Sequence, residues 1–285
     1  MHNEHGIDLH THSNASDGTE SPADVVRAAA ASGLHTIALT DHDTVSGWDA
    51  ASRAALECDI TLLPGIEVSS KFGGASVHVL AYLPDPSHPA LNESMARVRY
   101  DRIHRAERIV AAIGADYELT WADVQAVSEP GATIGRPHIA DALISLGIVG
   151  DRGEAFAGIL HHRSKYYVPH ESPSPADVVS QIVAAGGVPV LAHGGSRGAA
   201  LLTEAPFAAL VEAGLAGVEV GHRENDAAAQ QTLLGYAERY DLIVTGSSDY
   251  HGDGKPNRLG EHTTAPDQLA RIIEQAAGTA PVNLR

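Results

Sequence analysis

Two histidines one residue apart, His10 and His12, lie in the stretch Ile7-Asp8-Leu9-His10-Thr11-His12, which reads as a short buried strand. Alternate side chains of a strand leave on the same face, so Asp8, His10 and His12 point one way. Two imidazoles aimed at one point suit a metal ion, because neutral histidine nitrogen is a ligand for zinc, iron and manganese. Further donors follow downstream. His12, His42, Glu67, His193, His222, Asp249 and His251 all fall at or just beyond the C-terminal end of a strand read from the sequence. In an α/β barrel those ends converge on one face, where active sites sit.

The elements that would carry these residues alternate in a βα rhythm. Apolar, β-branched runs place strands at 7–12, 36–40, 61–68, 77–82, 188–192, 217–220 and 242–245. Helices are expected from 22 to 32, with Ser21 as N-cap and Pro22 at the first helical position, and at 46–56, 175–185, 206–213, 226–240 and 266–277. Between 89 and 160 the pattern turns helical (91–113, 121–127, 138–146) and no strand is evident. This predicts an α/β fold with a mainly parallel sheet, formed by residues 1–88 and 161–285, and a helical insertion at 89–160. Asp43 is expected to cap the helix that follows it. Arg99, Arg102, Arg105 and Arg108, interleaved with Asp101 and Glu107, read as a solvated helix face.

Composition narrows the function classes. The chain carries 36 acidic and 19 basic residues, a formal charge of −17, which argues against a broad basic face for nucleic acid and against a stable nucleic-acid partner. Clustered carboxylates that bind divalent cations would offset part of that charge. One cysteine, Cys58, leaves no internal disulfide and no multi-cysteine zinc site. No apolar run has membrane-spanning length, and Met1-His2-Asn3-Glu4-His5 lacks a secretory pattern, so the expected location is the cytoplasm, away from membranes. Oligomeric state is not encoded legibly.

Six motifs in order carry a resemblance: Asp8-Leu9-His10-Thr11-His12, Leu39-Thr40-Asp41-His42-Asp43, Pro64-Gly65-Ile66-Glu67, Val77-His78-Val79-Leu80, Ala192-His193 and Ser248-Asp249-Tyr250-His251. Together they resemble the polymerase and histidinol phosphatase (PHP) family of metal-dependent phosphoesterases. The likeness is to the stand-alone branch with a helical insertion, whose members act as nucleotide phosphatases and 5′-to-3′ exoribonucleases. The resemblance implies a distorted (β/α)7 TIM-like barrel holding two or three divalent ions (manganese, iron or zinc). It assigns one ion to His10, His12, Glu67 and Asp249, a second to Glu67, His78 and His193, and a third to Asp17, His42 and His251. Asp8 is expected to orient a ligand histidine.

The expected reaction is attack of metal-activated hydroxide on the phosphorus of a phosphomonoester, with Glu67, Asp249 and His222 as catalytic residues and His222 as proton donor. Arg136 precedes a helix opening at Pro137, where anions are favoured. The resemblance adds His138 beside it, and Lys165, Arg197 and His222 complete the phosphate-binding candidates. The implied substrate is the 3′-phosphate of a nucleoside 3′,5′-bisphosphate, with short RNA attacked from its 5′ end. Histidinol phosphate is the alternative within the family. A metal-dependent amidohydrolase or a non-catalytic metal-binding module are the alternatives outside it.

Overall fold

The computed structural model describes residues 6–129, 134–168, 172–196 and 198–284. Seven strands form one sheet in chain order: β1 (Ile7–Thr11), β2 (Thr36–Leu39), β3 (Thr61–Phe72), β4 (Ala75–Tyr82), β5 (Val188–Leu191), β6 (Gly217–Gly221) and β7 (Ile243–Gly246). The two edges meet where the His12 amide donates to the Tyr250 carbonyl at 2.8 Å, just past β1 and β7. The result is a nearly closed, distorted TIM-like barrel. α1 (Pro22–Ala31) and α2 (Trp48–Cys58) cover the first strands, with Val25, Val26, Ala51 and Ala55 packed on Ile37, Leu39 and Leu62. Ser21 caps α1 by accepting the Asp24 amide, and Pro22 occupies the first turn, where its missing N–H costs nothing.

The sheet departs from the expected parallel arrangement at β4, which runs antiparallel to both β3 and β5. β3 does not stop near residue 68. Gly73 and Gly74, at φ +57° and +82°, form a two-residue turn of left-handed conformation that prolongs the β3–β4 hairpin to the pair Phe72–Ala75. Glu67 therefore lies inside a strand rather than at its end. Neither does Asp43 cap a helix: α2 starts at Trp48 after Gly47, and the Asp43 carboxylate instead accepts the Ser69 amide and hydroxyl, each at 2.8 Å.

Between β4 and β5 lie α3 (Pro89–Gly114), α4 (Trp121–Ala126), α5 (Arg136–Ser145) and α6 (Arg152–Ala157). The last was not foreseen. Its six residues are too few for a periodic signal, and the Asp151 cap on the Glu154 amide supplies what periodicity does not. α7 (Pro175–Ala184), α8 (Glu204–Glu212), α9 (Ala227–Tyr240) and α10 (Pro266–Gln275) return to the barrel wall. No helix among the described residues is long and apolar enough to cross a membrane.

The segment α3–α6 has an apolar cluster of its own, in which Ile109, Ile113, Val124, Ile139 and Leu143 are buried together. Leu143 is fully enclosed. Leu143→Ala should lower unfolding free energy by about 2–5 kcal/mol, the range for truncating a buried leucine. Denaturant titration measures it, and a loss under about 1 kcal/mol would mean that this cluster is not tightly packed.

Candidate metal centre and substrate cavity

Glu67 is the hub of the site. It is 1% exposed, and its two oxygens face five imidazoles. Oε2 lies 3.2 Å from His10 Nε2, 3.0 Å from His12 Nε2 and 3.3 Å from His42 Nδ1. Oε1 lies 2.7 Å from His78 Nδ1 and 2.9 Å from His193 Nε2. Asp249 Oδ1 faces His10 Nε2 at 3.5 Å, His12 Nε2 at 3.4 Å and His251 Nδ1 at 3.4 Å. Asp17 stands at the other side, 3.2 Å from His251 Nε2 and 3.8 Å from His42 Nε2. All nine donors expected from the sequence are thus brought together.

Burial penalises the charged form of each carboxylate here, yet the surroundings win. His42, His78 and His10 hold Glu67 well below the usual carboxylate range. Lys255, His251 and His10 do the same for Asp249, and His251 and His42 for Asp17. Burial pushes His42 and His251 down, so both keep a free lone pair at neutral pH. Burial also acts against charge on His12, but Asp249 and Glu67 raise it to about 9.

These side chains are poorly paired with one another as hydrogen bonds. His12 Nδ1, His42 Nδ1, His78 Nδ1, His193 Nδ1 and His251 Nε2 are buried without an aligned partner, even where a carboxylate oxygen is close. His10 Nε2 and His12 Nε2 face each other at 3.0 Å. Buried imidazole nitrogens rarely go unpaired, and lone pairs converging between carboxylates are what a cation requires. Among the described residues, three sets of donor atoms lie within 4.8 Å of one another: His10, His12, Glu67 and Asp249; His12, Asp17, His42 and His251; and His42, Glu67 and His78. The first is the set expected. In the second, His12 joins the expected three. His193 falls outside the third set, although it touches Glu67.

Two carboxylates outside the donor set hold it in place. Glu219 on β6, fully buried, lies with Oε1 3.0 Å from His10 Nδ1 and accepts the His193 amide on Oε2 at 2.6 Å. One side chain thus fixes two donors, and steadies His193 in its unfavourable φ of +30°. Sequence reading passed over Glu219, although a lone acid in the apolar run Gly217-Val218-Glu219-Val220 was a signal that it faces something polar. Asp8 does not orient a histidine ring. Its oxygens accept the amides of Ser248 (3.0 Å) and Gly260 (2.9 Å), fastening the loop that carries Asp249 and His251.

A cavity of about 570 Å³ opens over the cluster, lined by His42, Glu67, His78, His193 and Asp249 on the barrel side and by Arg136, Phe156 and Leu160 on the helical side. A smaller cavity of about 230 Å³, lined by Arg102, Arg105 and Arg136, shares His42 and His78 with it. The arginines of α3 are therefore not a solvated face. Arg99 binds the Asp43 carbonyl and Arg102 the Ser69 hydroxyl, while Arg105 is buried with its Nε on the Val168 carbonyl at 2.5 Å; Arg108 alone of the four is exposed. Burial, together with Arg136 and Arg102, lowers Arg105 to about 10.

The other phosphate-binding candidates fare unequally. Arg136, which opens α5, reaches the cavity over the Phe156 ring. His138 is buried, with Nδ1 accepting the Gly135 amide at 3.2 Å, and does not line the cavity. Lys165 is 69% exposed and paired with Asp116 at 2.8 Å, away from the cavity. Arg197 lies outside the described residues. His222 is 1% exposed and sits behind Asp249, Nε2 to Oδ2 3.6 Å, so it does not reach the cavity as the expected proton donor. Lys255, unforeseen, does line the cavity.

A barrel mouth that gathers imidazole and carboxylate donors suited to divalent metal ions, under a cationic wall, has the donors and charge that a metal-dependent phosphoesterase, a hydrolase, requires. Comparison with known proteins agrees. The PHP domain model matches residues 8–118. The chain is 34% identical over 276 residues to a 3′,5′-nucleoside bisphosphate phosphatase of Chromobacterium violaceum, covering 94% of each. It is 30% identical to a 5′-3′ exoribonuclease of Haemophilus influenzae, covering 94% of this chain and 98% of that one. The crystal structure of a protein described as a metal-dependent phosphoesterase of Bifidobacterium adolescentis superposes with a TM-score of 0.93 at 42% identity, covering 96% of this chain and 97% of that one. The chain belongs to the PHP family.

Replacing Glu219 by Gln should keep the fold but weaken metal binding about 10- to 100-fold, as losing a carboxylate behind a ligand histidine does. Titration against a chromophoric chelator measures this. Unchanged affinity would show that His10 and His193 need no such support.

Proposed function

We propose that this enzyme removes the 3′-phosphate from nucleoside 3′,5′-bisphosphates and degrades short RNA from the 5′ end. The observation that carries this reading is a cavity that sets Arg136 across from the donor cluster, with a second cavity lined by Arg102 and Arg105 sharing His42, His78 and Arg136 with it. The donor cluster forms the floor, and Arg136, backed by Arg102 and Arg105, forms the wall. A substrate with two phosphates satisfies both, and the named activities of the two relatives support the choice.

In this reading His10, His12, Glu67 and Asp249 hold one divalent ion, Glu67, His78 and His193 a second, and Asp17, His42, His251 and His12 a third. Manganese, iron and zinc all suit such mixed donors. When bound, the ions supply hydroxide at neutral pH and polarise the phosphoryl oxygens. The chain does the rest. Glu67 remains ionised and keeps its five imidazoles in register. Arg136 takes the second phosphate, its guanidinium geometry permitting two parallel hydrogen bonds. Phe156 and Tyr167 give the nucleoside an aromatic rim. Helices α3–α6, taken as an insertion over residues 89–160, act as the specificity wall of a barrel built from 1–88 and 161–285.

Phosphate release from a panel tests the reading. Nucleoside 3′,5′-bisphosphate should be hydrolysed faster than 3′- or 5′-mononucleotides and than histidinol phosphate. Arg136→Ala should raise KM for the bisphosphate about 10- to 100-fold, the worth of a charged hydrogen bond, with a smaller effect on 3′-mononucleotides. Equal rates across the panel, or a preference for histidinol phosphate, would overturn it.

A further inference from the structure

Among the described residues, Lys255 is a cation that lines the cavity in contact with a donor carboxylate, and the sites described above give it a part in keeping Asp249 ionised but no contact with substrate. Its Nζ donates to Asp249 Oδ2 at 2.6 Å, while its side chain, 38% exposed, lines the cavity. The loop that carries it is anchored on both sides. His251 precedes it in the donor cluster, the Asn257 amide group donates to the Ser248 carbonyl at 2.7 Å, and the Gly260 amide donates to Asp8. An ammonium on a fixed loop, at the cavity wall and beside a donor carboxylate, stands where a phosphoryl group lying on the cluster would come.

A cation in the cluster and the ammonium of Lys255 both draw on Asp249. Lys255 holds Oδ2 while Oδ1 faces the donor histidines, so a divalent ion on Oδ1 would draw charge from the shared carboxylate and set a like charge near the ammonium, which favours its turning toward an anion in the cavity. We propose that Lys255 is a catalytic residue whose ammonium contacts the phosphoryl group and offsets the negative charge that gathers on the leaving oxygen. The phosphorus–oxygen bond to the alcohol breaks as the oxygen of water bonds to phosphorus. The protons of that water end on the alcohol and the phosphate, and Lys255 keeps its own. The assignment rests on hydrolysis of a phosphoester at this cluster, not on which nucleotide is the substrate.

Lys255→Met and Lys255→Arg test it with two readouts. Metal affinity of Lys255→Met, measured by chelator competition, should equal or exceed that of the wild type, because a competing ammonium is gone. Its turnover of a nucleoside bisphosphate, whose alcohol leaves poorly, should fall about 100- to 1000-fold, the usual cost of losing one charge-stabilising donor. With p-nitrophenyl phosphate, whose phenolate leaves readily, the loss should be at least about tenfold smaller, since less charge needs offsetting there. Lys255→Arg should recover part of the loss. Weaker metal binding in Lys255→Met would instead make Lys255 a support for Asp249, and equal losses on both esters would remove it from the leaving oxygen; either overturns the proposal. A wild-type enzyme that hydrolyses p-nitrophenyl phosphate without preferring bisphosphates would sink the nucleotide reading alone. One that hydrolyses neither would overturn both.

Discussion

The structure depends on keeping the Glu67 carboxylate ionised while it is almost wholly removed from water. Stripping a carboxylate of solvent costs several kcal/mol even after relaxation, and only close, well-placed positive charge repays it. Here five imidazoles turn ring nitrogens to Glu67, from β1 and the segment after it (His10, His12), the loop after β2 (His42), β4 (His78) and the turn after β5 (His193). His10, His12 and His193 are held toward the charged form, and bound cations are able to add to it. Removing any of these elements would strand a buried charge. The barrel and its charged centre are in that sense one object. The apolar clusters give the walls their stability, and the centre dictates how the strand ends must meet.

That constraint accounts for two of the strained backbone positions. His193 and Asp249 both adopt positive φ, +30° and +56°, which residues with a Cβ seldom do. Each is over-determined by its neighbours: Glu219 takes the amide of His193, and Asp8 takes the amide of Ser248 just before Asp249. Strain of about 1–3 kcal/mol per residue is tolerable where such contacts leave no relaxed alternative that keeps the donor in place. The same two loops carry donors to the cluster.

Much of this was legible in the chain because strand parity and strand-end position are local properties. The parity of Asp8, His10 and His12, and donors recurring at strand ends after 36–40, 188–192 and 242–245, read directly from residue order. What escaped depends on pairing between distant segments. Asp8 binds amides at 248 and 260, and Asp43 binds Ser69, so no spacing rule separates them from ligands or helix caps. Glu219 was visible as an acid in an apolar strand, but its two partners lie at 10 and 193. The α3 arginines looked solvated because acidic residues interleave with them in sequence. On the helix, Arg99, Arg102 and Arg105 turn toward the barrel mouth, and only Arg108 follows the expectation.

The distribution of charge separates what the whole molecule repels from what the site accepts. With 36 acidic against 19 basic residues, the chain as a whole disfavours a polyanion approaching from far off. At about 8–10 Å, however, screening in physiological salt removes most of that distant field, and the local groups decide. Around the cavity those groups are Arg102, Arg105, Arg136 and Lys255, set against carboxylates that cations would neutralise. In the proposed reading, a small bisphosphate would meet these groups with both of its phosphates. A long polynucleotide would gain the same few contacts while holding the rest of its phosphates against an acidic surface. On the proposed reading, the balance of charge favours small substrates and the short ends of chains.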